Sequence, residues 1–422
     1  MKHIVGSLLA IALGILAIVP SLTLTGCKDQ YPASILQADT VTRTDTLIQR
    51  DTVIHVDTVV HGDTLIRTDT LIRVDTVIRG DTLVHTDTLI HIDTLLQRDT
   101  LRDTIDLDDS NIWVYRNSGT TDNLIIAEFV NQNNGFIGGG PSGTSGDGVI
   151  LSSGDRGTTW QVASTSVGTS GFGGSGVYGL AFQDAQNAFA VGDGQNVLHS
   201  MDGGHTWTGT PSGSTFFLRS LWFLDYKTGF FGTSDPANNG NGAGADGEIW
   251  RTTDGGVSWN LVASTNGGIY EIRFINPSNG VALGRFGVAY WTSDGGATWN
   301  QGTTDQTGNT SLIGRAAFTT GSTGFAACYL AQTQGAILRT DDEGHTWHTV
   351  KVVPAGLSGI ATNGAGVITA CGEGGTVVES TDGGTTWTTS NVGTSRWIGD
   401  AYSGTDRTVL VGVNGRIATR DK

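Results

Sequence analysis

Six aspartates recur in one local pattern, and that pattern decides what chemistry they can do. Asp155, Asp202, Asp254, Asp294, Asp342 and Asp382 each sit in Ser/Thr-x-Asp-x-Gly-x-Thr/Ser-Trp, as in Ser153-Gly-Asp155-Arg-Gly157-Thr-Thr-Trp160 and Thr252-Thr-Asp254-Gly-Gly256-Val-Ser-Trp259. Acid/base catalysis needs two carboxyls facing one substrate, whereas these copies lie roughly forty to fifty residues apart in identical settings. The local chemistry is that of a turn. A carboxylate can accept backbone N–H bonds across a tight hairpin, and glycine supplies a backbone geometry that other residues resist. The Ser/Thr hydroxyl satisfies a neighbouring backbone group, and the tryptophan packs over the hairpin. These aspartates are expected to be structural, and no catalytic residue is assigned.

A second group could bind a ligand. Arg219, Glu271, Arg273, Arg315, Arg396 and Asp400 fall on or beside segments expected to line a central channel, with Trp397 as a stacking candidate. Side chains alternate along a strand, so only some can point inward; Arg219 and Arg315 lead. The expected ligand is a protein or a glycan at the channel mouth. Cys328 and Cys371 lie in strand-like segments and read as buried free thiols, a bridge between neighbouring blades being the alternative. No Cys/His spacing suggests a metal, and no cofactor is expected. Gly171-Phe-Gly173-Gly-Ser-Gly176 satisfies G-x-G-x-x-G but lacks the strand before and the helix after, so it reads as a loop. The Asp/Asn/Gly-rich stretch from Asp235 to Asp246 lacks calcium-loop spacing. A net charge of −16 leaves little to neutralise phosphates, which argues against a nucleic-acid partner.

The elements that would position these residues begin after a targeting segment. Lys2 and His3 precede an apolar run from Ile4 to Val19, and Leu24-Thr-Gly-Cys27 closes it with small residues. That tetrapeptide resembles the lipobox of bacterial lipoproteins. It implies a signal peptide over 1–26, acylation of Cys27, a linker over 27–38 and an outer-membrane or surface location. From Asp39 to Asp99 the dipeptide Asp-Thr recurs every six residues, followed by Leu/Val, Ile/Val and often His, Arg or Gln. An even period keeps each residue type on one face of an extended chain, and β-branched residues disfavour a helix. No Gly, Pro or Asn recurs to turn each repeat. The tract 39–109 is therefore expected to be an extended or self-associating stalk, and His55, His61, His85 and His91 to be solvated spacer residues.

From 110 to 422 the chain is glycine-rich and repeats as three short strands, the aspartate hairpin and a fourth strand. Tyr178–Phe182, Ala188–Gly192 and Asn196–Ser200 illustrate the first three. Four-stranded meanders repeated in this way make an all-β propeller. The last unit, Gly415-Arg-Ile-Ala-Thr-Arg-Asp421, stops where a seventh hairpin would begin, and Asn111–Asn117 has the pattern to supply its missing strand. Seven blades closed by both termini follow, with Trp113 as the buried counterpart of the six hairpin tryptophans.

The repeats resemble the Asp-box, or BNR-like, propellers, and most of all the photosystem II stability/assembly factor-like group. The resemblance implies a non-catalytic binding or assembly module. Sialidases and xyloglucan-type hydrolases share the Asp box and form the enzyme alternative. No Arg-Ile-Pro precedes the first blade, and Tyr402, which could imitate a sialidase nucleophile, reads better as a channel or core residue.

Overall fold

The computed structural model describes residues 113–422, except 142–147, 168–175, 236–245, 307–310 and 331–333, together with seven strands between residues 36 and 95. Cys27 with its targeting segment, the glycine-rich loop 171–175 and the interior of the Asp235–Asp246 stretch lie outside the described residues. The chain divides into two compact units, Met1–Asp108 and Asp109–Lys422.

In the first unit the described strands of the hexapeptide tract pair with one another. Leu36–Val41, Ile54–Val59, Ile72–Val77 and Ile90–Leu95 pair side by side in parallel, as do Leu47–Arg50, Leu65–Thr68 and Leu83–His85. Each strand meets the one three hexads further on, so Leu36 lies opposite Ile54, Ile54 opposite Ile72 and Ile72 opposite Ile90. This is the pairing of a coiled solenoid. The repeat brings like residues into register, and pairing satisfies backbone groups that an isolated strand leaves to water.

The second unit is a seven-bladed β-propeller, as the repeats predict. Six blades start from the inner strands Asn123–Phe129, Val177–Phe182, Phe217–Phe223, Ile269–Phe274, Leu312–Thr320 and Leu357–Thr362; the seventh starts from Ile398–Ser403. They are numbered blades 1 to 7 below. Second strands such as Ala188–Gly192 and Gly280–Gly284 are buried at every residue, which explains their unbroken runs of small and apolar side chains.

The aspartate hairpins form as the residue types dictate. In blade 3, the Ser258 N–H and hydroxyl donate to the two Asp254 carboxylate oxygens at 3.0 and 2.5 Å, and the Thr252 hydroxyl donates to the same carboxylate at 2.7 Å. The Gly256 N–H donates to the Thr252 hydroxyl at 3.0 Å. The same bonds recur around Asp155, Asp202, Asp294, Asp342 and Asp382. They hold the Asp254 carboxyl at a pKa of about 2, the Ser258 hydroxyl contributing most.

The hairpin glycine reaches the preceding blade. A Cβ on Gly296 would lie 2.3 Å from the Phe230 ring, one on Gly344 2.2 Å from Val281 and one on Gly384 2.4 Å from Phe325. All three also have φ near +70 to +90°, so two independent constraints select glycine. Five of the six hairpin tryptophans, Trp160, Trp259, Trp299, Trp347 and Trp387, meet a phenylalanine ring edge-on. Trp259 sits edge-on to Phe223 at 6.1 Å, Trp299 to Phe274 at 5.9 Å and Trp347 to Phe318 at 6.1 Å.

Both termini build blade 7. Val114–Arg116 pairs antiparallel with Arg416–Asp421, placing Tyr115 opposite Ala418 and Val114 opposite Thr419. The Tyr115 hydroxyl donates to the Val392 carbonyl at 2.8 Å, tying this strand to the chain after blade 6. Trp113 packs against the cluster containing Cys371, Val377, Leu410 and Ala418, with the Arg420 guanidinium 4.4 Å over its ring. It is half-buried rather than buried, because it lies at the free end of a short outer strand; Trp207, Trp299 and Trp387 are half-buried too.

Trp113→Ala should therefore destabilise the propeller by about 3 kcal/mol, the low end for truncating a large aromatic side chain. Chemical denaturation of otherwise identical chains measures this. An unchanged midpoint would show that the N-terminal strand does not bear on the ring.

Candidate functional site: the channel and its loop-face mouth

The hairpins and the turns between first and second strands share one face. The Arg156 N–H donates to the Asn133 carbonyl and the Gly203 N–H to the Gln186 carbonyl, at 3.0 and 2.9 Å. Inner strands therefore end at that face and begin at the opposite one, where second and third strands are joined. The latter is the loop face.

Every inner strand breaks register near its loop-face end, and Leu312–Thr320 does so a second time near its other end. At the loop-face end the residues left out of the pairing are Ile125, Tyr178, Arg219, Tyr270, Gly314 with Arg315, Ser358 and Gly399. A β-bulge re-aims the side chain it carries, so seven bulges at one level form a ring of re-aimed residues around the channel mouth. The ring is lopsided. Blades 2 to 4 contribute Tyr178, Arg219 and Tyr270, whereas blades 6 and 7 contribute Ser358 and Gly399. The Trp397 ring lies over Gly399, whose Cβ would fall 2.8 Å from it.

Arg219 lies within an aromatic enclosure. Its guanidinium is 4.4 Å from the Tyr178 ring centre, 5.0 Å from Phe217 and 5.9 Å from Tyr270, and it pairs with Asp193 at 2.8 Å. Burial raises the Tyr178 hydroxyl and the Asp193 carboxyl above their ordinary values, the latter despite the neighbouring Arg219.

Below this ring the channel holds a charge cluster drawn from several blades. Arg315 donates to Glu271 at 3.2 Å and lies 3.8 Å from Asp400, while Arg273 donates to the other Glu271 oxygen at 3.3 Å. The Asp400 carboxylate accepts the Ala127 and Ala401 N–H groups at 3.2 and 2.9 Å. Arg273 also stacks over Trp222 at 4.8 Å. Burial raises the Asp400 carboxyl to about 6, against the pull of Arg315. Burial raises Glu128 to about 7, with Arg273 opposing and Asp400 reinforcing the shift.

The sequence candidates therefore separate. Arg219 and Trp397 stand at the mouth. Glu271, Arg273, Arg315 and Asp400 come together inside the channel, and Glu271 is only 3% exposed. Arg396 is exposed on the approach to Trp397. Sequence reading missed Tyr178, Tyr270, Asp193 and Glu128. The first two are the bulged residues of their inner strands, as Arg219 is of its own, and aligning the repeats by their bulges would have found them. Tyr402 stacks on Phe129 at 4.1 Å beside the blade 1 core, the core position expected for it. Cys328 and Cys371 are buried free thiols, and burial pushes the Cys328 thiol up to about 12. No group of His, Cys, Asp and Glu among the described residues could hold a metal ion.

Fold and hairpins together define a seven-bladed propeller of Asp-box repeats. Within that class, the family model described as "Photosynthesis system II assembly factor YCF48" matches residues 256–416. Among solved structures, one titled "YCF48 bound to D1 peptide" superimposes with a TM-score of 0.56 at 18% identity, covering 74% of this chain and 96% of that one. YCF48 from Cyanidioschyzon merolae gives 0.54 at 17% identity, over 74% of this chain and 98% of that one. A GH74 enzyme from Niastella koreensis gives 0.51 at 18% identity, over 72% of this chain but 53% of that one. At these identities the structural likeness is one of fold. No curated protein sequence matches significantly.

Glu128 makes the channel pH-sensitive in a defined direction. Its folded pKa of about 7 lies above the ordinary carboxyl value, so the fold retains a proton that the unfolded chain releases above about pH 4.3. Its contribution to stability is therefore greatest at low pH and declines as pH rises toward 7. Glu128→Gln should remove that decline and stabilise the propeller at pH 8 by roughly 1–2 kcal/mol, with little effect at pH 5. Melting curves at the two pH values check this.

Proposed function

We propose that the propeller is a non-catalytic binding module that captures a protein partner at the loop-face mouth, held at a bacterial membrane by acylation of Cys27. One observation carries the reading: seven inner-strand bulges converge at one level and gather Tyr178, Arg219 and Tyr270 opposite Trp397. Tyr, Trp and Arg are the side chains enriched at the energetic centres of protein interfaces, where an aromatic ring offers area at low entropic cost. The match to an assembly-factor family, and a structural neighbour whose title describes a bound peptide, support a protein over a glycan.

A glycoside hydrolase is the competing reading, and the channel chemistry opposes it. Glu271 and Asp400 both lie against Arg315, which leaves neither free to flank a glycosidic bond. Purified protein should turn over neither sialosides nor xyloglucan oligosaccharides. Turnover lost on Tyr402→Phe would overturn the binding reading.

Two experiments in the producing cell test the proposal. A photo-crosslinking amino acid at Tyr270 should give a discrete protein adduct that Arg219→Ala abolishes, while the same probe at the exposed hairpin residue Val257 should not. Equal adducts from both faces would contradict a mouth-specific site. Cys27→Ser should release the chain from the membrane fraction, and retention through high salt and alkali would contradict the lipid anchor.

A further inference from the structure

One side chain joins the channel cluster to the mouth. Arg315 donates from Nη2 to the Tyr178 carbonyl at 3.1 Å while its other nitrogens face Glu271 and Asp400. Tyr178 is the bulged residue of blade 2, and its ring lies against the Arg219 guanidinium at 4.4 Å. The backbone of the residue that seats the mouth arginine is therefore held from inside the channel, by a side chain of blade 5.

We propose that Arg315 is a positioning residue for the mouth, and that ionisation of the carboxyls around it sets the placement of Tyr178 and Arg219, so that capture at the mouth responds to pH. This deepens the functional reading above and rests on it. The charge count supplies the lever. Three carboxyls, Glu128, Glu271 and Asp400, face two guanidiniums, Arg273 and Arg315, so the cluster balances when one carboxyl carries a proton. Glu271 is paired with both arginines, and Asp400 with Arg315 and two backbone N–H groups. Glu128 makes no ion pair within 4.0 Å among the described residues, and it senses Arg273, Arg315, Asp400 and Glu271 through space. It is the carboxyl that takes the proton.

When that proton leaves, the new charge draws Arg273 and Arg315 away from the loop face, because Glu128 is the penultimate residue of its inner strand. Arg315 then loosens its bond to the Tyr178 carbonyl. The remaining groups facing the cluster are Tyr402 beside Glu128, Cys371 beside Asp400 and Trp222 under Arg273; those facing the mouth are Asp193 and Tyr270. The tyrosine and cysteine are pushed further from neutrality by burial, so they hold their protons as Glu128 titrates.

The test reads the mouth directly and needs no partner, so its outcome is independent of whether capture occurs there. Side-chain Nε–H signals of ¹⁵N-arginine-labelled full-length protein would be followed from about pH 5.5 to about pH 8.5, spanning ordinary histidine-range titrations. The Arg219 signal is identified by its loss in Arg219→Lys. In the wild type it should shift with a midpoint near that of Glu128. Glu128→Gln should abolish the shift, and Asp193→Asn should leave a shift with the same midpoint. Arg315→Lys should uncouple Arg219 from pH while the melting transition remains cooperative. A flat wild-type profile, or a shift that survives Glu128→Gln, would overturn the proposal. If Arg315→Lys does not fold, the Glu128→Gln and Asp193→Asn pair decides alone.

Discussion

The propeller depends on one short-range interaction, a carboxylate closed over by the backbone and hydroxyl of the residue four positions on. The Thr298 N–H and hydroxyl on Asp294, at 3.0 and 2.6 Å, show the arrangement. That clasp fixes a hairpin whose glycine can lie flat against the preceding blade and whose tryptophan, in blades 1, 3, 4 and 5, meets the phenylalanine at or near the end of its own inner strand. Since each hairpin touches the blade before it, six local turns become six contacts between blades. The clasp is exposed and individually modest. Its value is geometric, because a packed β-sheet tolerates little freedom where two faces meet.

With the blades spaced in this way, the inner strands are forced into a tight ring, and the bulge near each loop-face end relieves the crowding while turning one side chain toward the mouth. The same device has two products. Where the bulged residue is large it furnishes the mouth, as Tyr178, Arg219 and Tyr270 do. Where it is small, as at Gly399, a neighbouring ring such as Trp397 can lie across it. Directly below, charges from blades 1, 4, 5 and 7 fill the channel. Buried charges of this kind add little net stability, yet removing one partner is costly because it leaves another charge buried and unpaired.

Much of this architecture was legible in the sequence because the signals are local and repeated. The six hairpins announce themselves through residues that each have a turn-specific reason to be present, and Asn111–Asn117 carries the pattern of an outer strand, the place Val114–Arg116 takes beside Arg416–Asp421. The site was less legible for a physical reason. A bulge shifts the alternation of the residues beyond it, so the plain two-residue period placed Arg219 and Arg315 in one class, although one stands at the mouth and the other beneath it. Glu128 was invisible because its importance comes from residues more than a hundred positions away. The pairing within the hexapeptide tract was less legible, because glycine falls there only at Gly62 and Gly80 rather than in every repeat, and the pairing partner is three hexads on rather than one.

Ring closure is the claim on which mouth, channel and clasp all rest, since an open seventh blade would leave no defined channel. Tyr115 and Ala418 are directly opposed across the antiparallel pair that joins the two ends. Such residues have Cα atoms about 4.5–5.5 Å apart, within the span a disulfide accepts. The chain carrying Tyr115→Cys and Ala418→Cys should therefore oxidise to an internal bridge between these positions, detected by mass spectrometry of a proteolytic digest, with a higher melting temperature than its reduced form. New thiols that stay free under oxidation, or that bridge only between molecules, would contradict a ring closed by both ends of the propeller.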